Sequence, residues 1–160
     1  MPDILVPLFG VATIASAIRA FVPLYLATLG GVFNERSGIV NIGIDGMMIF
    51  GTWFGAWGAL KWGPWVGLLL AIASGVAAAA LHAMATITFR VDPIVSGVAI
   101  TILAIGIPGF LSIVAYGQRT QSPQVPQLST IDVPGLGEIS PVVPLTVLLG
   151  FGAWFVLSRT

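Results

Sequence analysis

Apolar residues run along this chain in long unbroken stretches and do not alternate with polar ones. Neither Trp65–Phe89 nor Ile94–Gly117 contains a formal charge. Each is longer than the ~20 residues that a transmembrane helix needs. At ~1.5 Å rise per residue, such stretches reach about 36 Å as helices, enough to cross a hydrocarbon core of ~30 Å. Ile39–Leu60 is a third stretch, interrupted only by Asp45, and Val142–Leu157 is a shorter fourth between Pro141 and Arg159. Membrane β-strands alternate apolar and polar residues, and Gly67-Leu68-Leu69-Leu70-Ala71-Ile72-Ala73 does not. Ile4–Phe33 is a fifth and longer apolar stretch, broken by Arg19 and Pro23. It is either one long tilted helix or a short interfacial segment followed by a span. The pattern predicts an all-α, polytopic transmembrane helix bundle of about five spans. The leading Met1-Pro2-Asp3 lacks the positive region of a signal peptide.

The breaks are short and polar: Asn34-Glu35-Arg36-Ser37-Gly38, Lys61-Trp62-Gly63-Pro64 and Arg90-Val91-Asp92-Pro93. Asp-Pro favours ending one helix and starting the next. Trp57, Trp62 and Trp65 suit an interfacial aromatic belt. Gln118–Pro141, with prolines at 123, 126, 134 and 141, is the one long loop. Residues 1–160 thus read as a single transmembrane domain with an external loop over 118–141. Basic residues mark the cytoplasmic side. Arg36, Arg90 and Arg159 on one side against Lys61 and Arg119 on the other put the C-terminus in the cytoplasm, and five spans then put the N-terminus outside.

Composition sharpens this picture. Hydrophobic residues make up 57% of the chain and charged residues 8%, with a mean hydropathy of +1.03. Soluble domains average roughly 25% charged residues, so this chain cannot cover a soluble globule. The balance of six basic and six acidic residues supplies no basic excess for nucleic acid, and the hydrophobicity excludes a disordered tail. Cysteine is absent, which removes disulfides and thiolate metal sites. No phosphate-binding or dinucleotide-binding glycine loop, zinc pair or catalytic triad is present. The sequence points away from an enzyme.

The chemistry-bearing residues concentrate in Gly30-Gly31-Val32-Phe33-Asn34-Glu35-Arg36-Ser37-Gly38-Ile39-Val40-Asn41-Ile42-Gly43-Ile44-Asp45-Gly46-Met47-Met48. A continuous helix from Asn34 would align Asn34, Asn41 and Asp45 on one stripe. A carboxylate beside a membrane span faces the bundle interior or water. Glycines 38, 43 and 46 permit a broken helix near 34–46, of the kind transporters use at substrate paths. Two readings stand. The segment is either a pathway or gate element, with Glu35 and Arg36 at the cytoplasmic mouth, or a structural cap for helix ends. Arg19 either snorkels or pairs with Asp45 or Asp3. His82, deep in its span, is either a proton or substrate contact or a helix-to-helix hydrogen bond. Gly51–Gly55 and the repeat Gly75, Ala79, Ala83 read as close helix packing.

This segment resembles the signature of the inner-membrane permeases of ATP-binding-cassette importers, in the branch handling simple sugars and nucleosides and related to ribose and branched-chain amino-acid permeases. The usual form is close to Glu-Arg-Ser-Gly-Ile-Val-Asn-Ile-Gly with an acidic residue before Gly-Met-Met, and here Asp45 takes the acidic position. The likeness continues through Asp92-Pro93-Ile94-Val95-Ser96-Gly97 and Val133-Pro134-Gly135-Leu136. Such permeases run about twice this length, so the chain looks like an N-terminal half, apparently truncated before the loop that engages the ATPase. The resemblance implies a multi-pass protein of the bacterial plasma (inner) membrane. It implies a cytoplasmic ATPase that binds ATP, a second permease subunit and an extracytoplasmic substrate-binding protein, and no cofactor in this chain. It also implies carriage of a nucleoside or simple sugar through a pathway at Asn34, Glu35, Arg36, Asn41 and Asp45. Two rival readings are a proton-coupled transporter with Asp45 and His82 as relay, and a non-transporting membrane scaffold subunit.

Overall fold

The computed structural model describes residues 11–119, 121–133 and 137–159. Asp3, offered as a partner for Arg19, and Pro134-Gly135-Leu136 lie outside these residues. The helices are α1 (Val11–Arg36), α2 (Ile44–Trp62), α3 (Pro64–Ala83), α4 (Pro93–Tyr116) and α5 (Val142–Arg159). A π-helical turn, Met84–Thr88, extends α3. Two three-residue strands, β1 (Ile131–Val133) and β2 (Gly137–Ile139), pair antiparallel with Ile131 opposite Ile139 inside the long loop. The chain divides into two compact units, one of residues 31–127 and one of residues 1–30 and 128–160.

Among the described residues, four helical segments are long and apolar enough to cross a membrane: Ser16–Arg36, Pro64–Thr88, Pro93–Tyr116 and Val142–Arg159. Their large apolar side chains point outward, with Leu69 66% and Ile102 64% exposed. In water such a surface would aggregate, whereas in a bilayer it is the face that meets lipid. Arg19 does not break α1, which runs continuously through Pro23, so the one-helix reading holds for the described part.

The fifth helix, α2, is less apolar for a visible reason. Its 19 residues include Asp45, Lys61 and four glycines after its start, and its small-residue faces are covered by neighbouring helices. It packs along α3 and also against α4. The α2–α3 hairpin turns through Gly63 alone, at φ 95°, and Pro64 opens α3. Lys61 and Trp62 therefore belong to α2 and not to a four-residue turn. Gly51, Gly55 and Gly58 of α2 face Ala71 and Gly67 of α3, and a Cβ on Gly55 would sit 3.0 Å from Ala71 Cβ. That is the close packing expected of Gly51–Gly55. The second small-residue repeat behaves differently: nothing lies within 4 Å of a Cβ on Gly75, and Ala79 is exposed. Among the described residues it is not a packing seam, because α3 uses its Gly67–Ala71 face instead.

Helix α4 begins as the Asp-Pro step predicts. The Asp92 carboxylate accepts from Ile94 N at 2.8 Å and Val95 N at 3.2 Å, and Pro93 fills the first turn. It ends at Gly117, at φ 73°. In the other unit, α1 and α5 approach through Tyr25 and Gly150, where any side chain on Gly150 would strike the Tyr25 hydroxyl.

Candidate functional site

The signature segment lies where α1 ends and α2 begins. Glycine decides that ending. Gly38, at φ 80°, takes the left-handed conformation that terminates a helix. Its N–H donates to the Glu35 carbonyl at 3.0 Å, and Ile39 N–H donates to the Asn34 carbonyl at 3.1 Å. These two bonds form a Schellman cap. The Ser37 hydroxyl adds a third donor, 2.7 Å from the same Asn34 carbonyl. Arg36 in the last turn complements the negative end of the helix dipole. Much of Asn34-Glu35-Arg36-Ser37-Gly38 is thus the chemistry of a helix stop.

The backbone stays non-helical from Ser37 to Gly43. A single helix from Asn34 is therefore not formed, and Asn34, Asn41 and Asp45 do not share one helical stripe. Asn34 sits in the last turn of α1, Asn41 in the break and Asp45 in the first turn of α2. Residues 37–43 form the connection between two complete helices.

Asn41 organises the return to helix. Its Oδ1 accepts from Gly43 N–H at 2.9 Å, and its Nδ2 reaches Met47 Sδ at 3.8 Å. Asp45 is exposed at the head of α2, where the positive end of the dipole favours an acid. Glu35 and Arg36 are also exposed. The segment thus offers an accessible carboxylate one turn from a fixed amide.

What fixes it is the backbone of α4. A Cβ on Gly97 would lie 2.8 Å from Gly43 N, and one on Gly46 would lie 2.8 Å from Thr101 Cα. Glycines 43, 46 and 97 let the start of α2 lie on α4 backbone to backbone. Gly97 closes the second stretch, Asp92-Pro93-Ile94-Val95-Ser96-Gly97, so the two parts of the sequence pattern meet in space.

His82 is 4% exposed, and its Nδ1 lies 2.9 Å from the Ser96 hydroxyl, itself buried. This is the helix-to-helix bond, joining α3 to α4. Interhelical hydrogen bonds of membrane proteins contribute about 0.6 kcal/mol on average and at most about 1.7. A double-mutant cycle of His82→Ala and Ser96→Ala, read by thermal unfolding in detergent, should give a coupling of about 1 kcal/mol. Additive effects would show that the pair contributes nothing.

Sequence reasoning passed over a second cross-link. Trp53 Nε1 donates to Ser112 Oγ at 2.8 Å, and the Trp53 ring lies 6.5 Å from that of Tyr116. Among the described residues no group of three or more His, Cys, Asp or Glu is placed to hold a metal ion.

Comparison with known proteins matches these features to a family. Residues 13–160 match the family described as branched-chain amino acid transport system / permease component. The chain belongs to this permease family. Its relatives include the guanosine ABC transporter permease protein NupQ of Bacillus subtilis, 40% identical over 86% of this chain and 49% of the relative. The nucleoside ABC transporter permease protein NupC of Lactococcus lactis is 34% identical over 92% of this chain and 52% of the relative. The chain spans about half the length of these curated relatives. No solved structure gives a significant match. This permease is a multi-pass membrane protein, and its relatives are transporter components and not enzymes.

Proposed function

We propose that this permease forms part of the solute pathway of an ATP-driven importer for nucleosides in the bacterial plasma membrane. The observation that carries the substrate is the 40% identity to a guanosine permease across most of the chain. Asn41 and Asp45 line the pathway where α2 restarts, with Asn34, Glu35 and Arg36 at the cytoplasmic mouth. ATP is bound and hydrolysed by a separate cytoplasmic subunit. A second permease subunit completes the pore, and an extracytoplasmic binding protein delivers the nucleoside. No cofactor is bound by this chain.

A helix end beside a solute route serves transporters because it presents unpaired backbone groups to the solute. Here the Schellman cap closes the end of α1 and Asn41 holds the Gly43 N–H, which leaves the exposed Asp45 carboxylate at the start of α2 as the group open to a solute. The relay reading has less support, because it rests on two residues, one of them exposed at a helix start, Asp45, and the other buried against Ser96, His82.

The test is uptake of labelled guanosine by cells carrying the whole importer. Uptake should follow ATP and survive collapse of the proton gradient; loss with the gradient alone would favour a secondary transporter. Asp45→Ala should lower uptake about 5- to 30-fold at normal membrane abundance, the equivalent of about 1–2 kcal/mol of lost interaction. Unchanged uptake would remove Asp45 from the pathway.

A further inference from the structure

A cavity of about 450 Å³ opens between α2 and the C-terminal half of α4. Its walls combine an aromatic surface with neutral polar groups, Trp53 and Tyr116 beside Thr52, Ser112, Gln121 and Ser122. Arg119 also lines it, lying across Gly109, where a Cβ would come 3.3 Å from Arg119 Nε. Pro108 interrupts α4 on the same wall. It has no N–H, so the carbonyl of Ala104, fully buried behind this wall, loses its usual helical donor.

One group here lacks a counterpart. The Tyr116 hydroxyl is buried and has no hydrogen-bond partner among the described residues. Buried polar groups are nearly always paired, and one that is not is explained by strain, an ordered water or a ligand. The Trp53 indole is held by its bond to Ser112 and by Trp57, stacked on it at 6.1 Å and 15°. A fixed aromatic plane is a platform for a flat, unsaturated ring.

We propose that this cavity is a nucleoside-binding subsite, in which Trp53 stacks on the base and Tyr116 hydrogen-bonds the ligand. This rests on the nucleoside reading above and adds the residues that select for it. An amino acid fits worse. Arg119 would meet its carboxylate, but among the described lining residues no acidic side chain meets its ammonium. A simple sugar lays only a C–H face on the indole, a weaker contact than a stacked base, and competition by glucose reads that difference.

The two residues separate binding from folding. If Tyr116 is only structural, Tyr116→Phe removes an unpaired buried hydroxyl and leaves stability unchanged or higher. If it holds ligand, the same change weakens binding about three- to tenfold, the value of one neutral hydrogen bond. Trp53→Leu weakens binding about tenfold or more, whereas Trp53→Phe keeps a stacking face and most of the affinity.

The experiment uses the assembled importer in membrane vesicles, photolabelled with 8-azidoadenosine. Label should enter peptides spanning residues 49–56 or 104–122. Guanosine should compete for it, and leucine and glucose should not. Tyr116→Phe should raise the competing guanosine concentration by the stated factor at normal thermal stability; Trp53→Leu should raise it well beyond Trp53→Phe, which loses the same bond to Ser112 but keeps a stacking face. Label elsewhere, or variants that compete like the parent, with guanosine uptake intact, would overturn the subsite and leave the transport reading standing. Failure of the parent importer to carry any nucleoside would overturn both.

Discussion

Gly46→Leu is expected to abolish uptake and to lower the stability of the helix hairpin sharply. A Cβ at this position would lie 2.8 Å from Thr101 Cα and 3.0 Å from Thr101 N. Both atoms belong to the backbone of α4, so no side chain can swing aside. One turn earlier, Gly43 and Gly97 are locked against each other in the same way. The only relief is to lever the start of α2 away from α4, carrying Asn41 and Asp45 with it. Overpacking of a close interface costs about 1–3 kcal/mol and sometimes more. Thermal unfolding in detergent and nucleoside uptake of the whole importer measure the two parts of this expectation. Gly75→Leu is the control, since a side chain there meets nothing within 4 Å. Equal tolerance at both positions would mean that α2 and α4 do not touch through backbone.

Gly67→Leu should be at least as damaging, by a different route. Its Cβ would come 2.6 Å from the Gly55 carbonyl oxygen, 2.6 Å from Ala59 Cβ and 2.9 Å from Ala59 N. The α2–α3 hairpin closes through the single residue Gly63, so the two helices cannot separate at one end to accommodate the change. A loss of about 3 kcal/mol or more is expected, with much of the protein absent from the membrane fraction. Gly67→Ala adds only the Cβ yet meets the same atoms, and should fall between parent and Gly67→Leu. Immunoblotting of membranes, followed by thermal unfolding of whatever inserts, reads this series. A stable Gly67→Leu would show that the hairpin is looser than these contacts.

The spans were legible in the sequence because lipid demands length and apolarity from each helix separately. The Asp92-Pro93 start was legible for a similar reason: a cap is a local bond between a side chain and the next two N–H groups. The signature segment was only half legible. Its glycines announced a break, but aligning Asn34, Asn41 and Asp45 assumed one helix through them. Gly38 in the left-handed region ends that helix, and positive φ is permitted, not required, by a glycine in a sequence. Gly67 meeting Gly55 and Gly97 meeting Gly43 depend on how helices lie together, which no local pattern encodes. The same holds for Trp53 and Ser112, 59 positions apart. Both residues read as ordinary members of apolar stretches until α2 and α4 are side by side.

The proposed pathway requires the restart of α2 to meet water inside a solute route. These 160 residues hold no cysteine, so Asn41→Cys and Asp45→Cys, each introduced singly, add one new thiol each, and the parent importer gives the background labelling. A charged, membrane-impermeant thiol reagent should modify both positions, and nucleoside together with ATP should change the rate. Positions that ignore that reagent but react with a lipid-soluble maleimide, whatever the nucleoside or ATP, would place them in the bilayer and contradict the account.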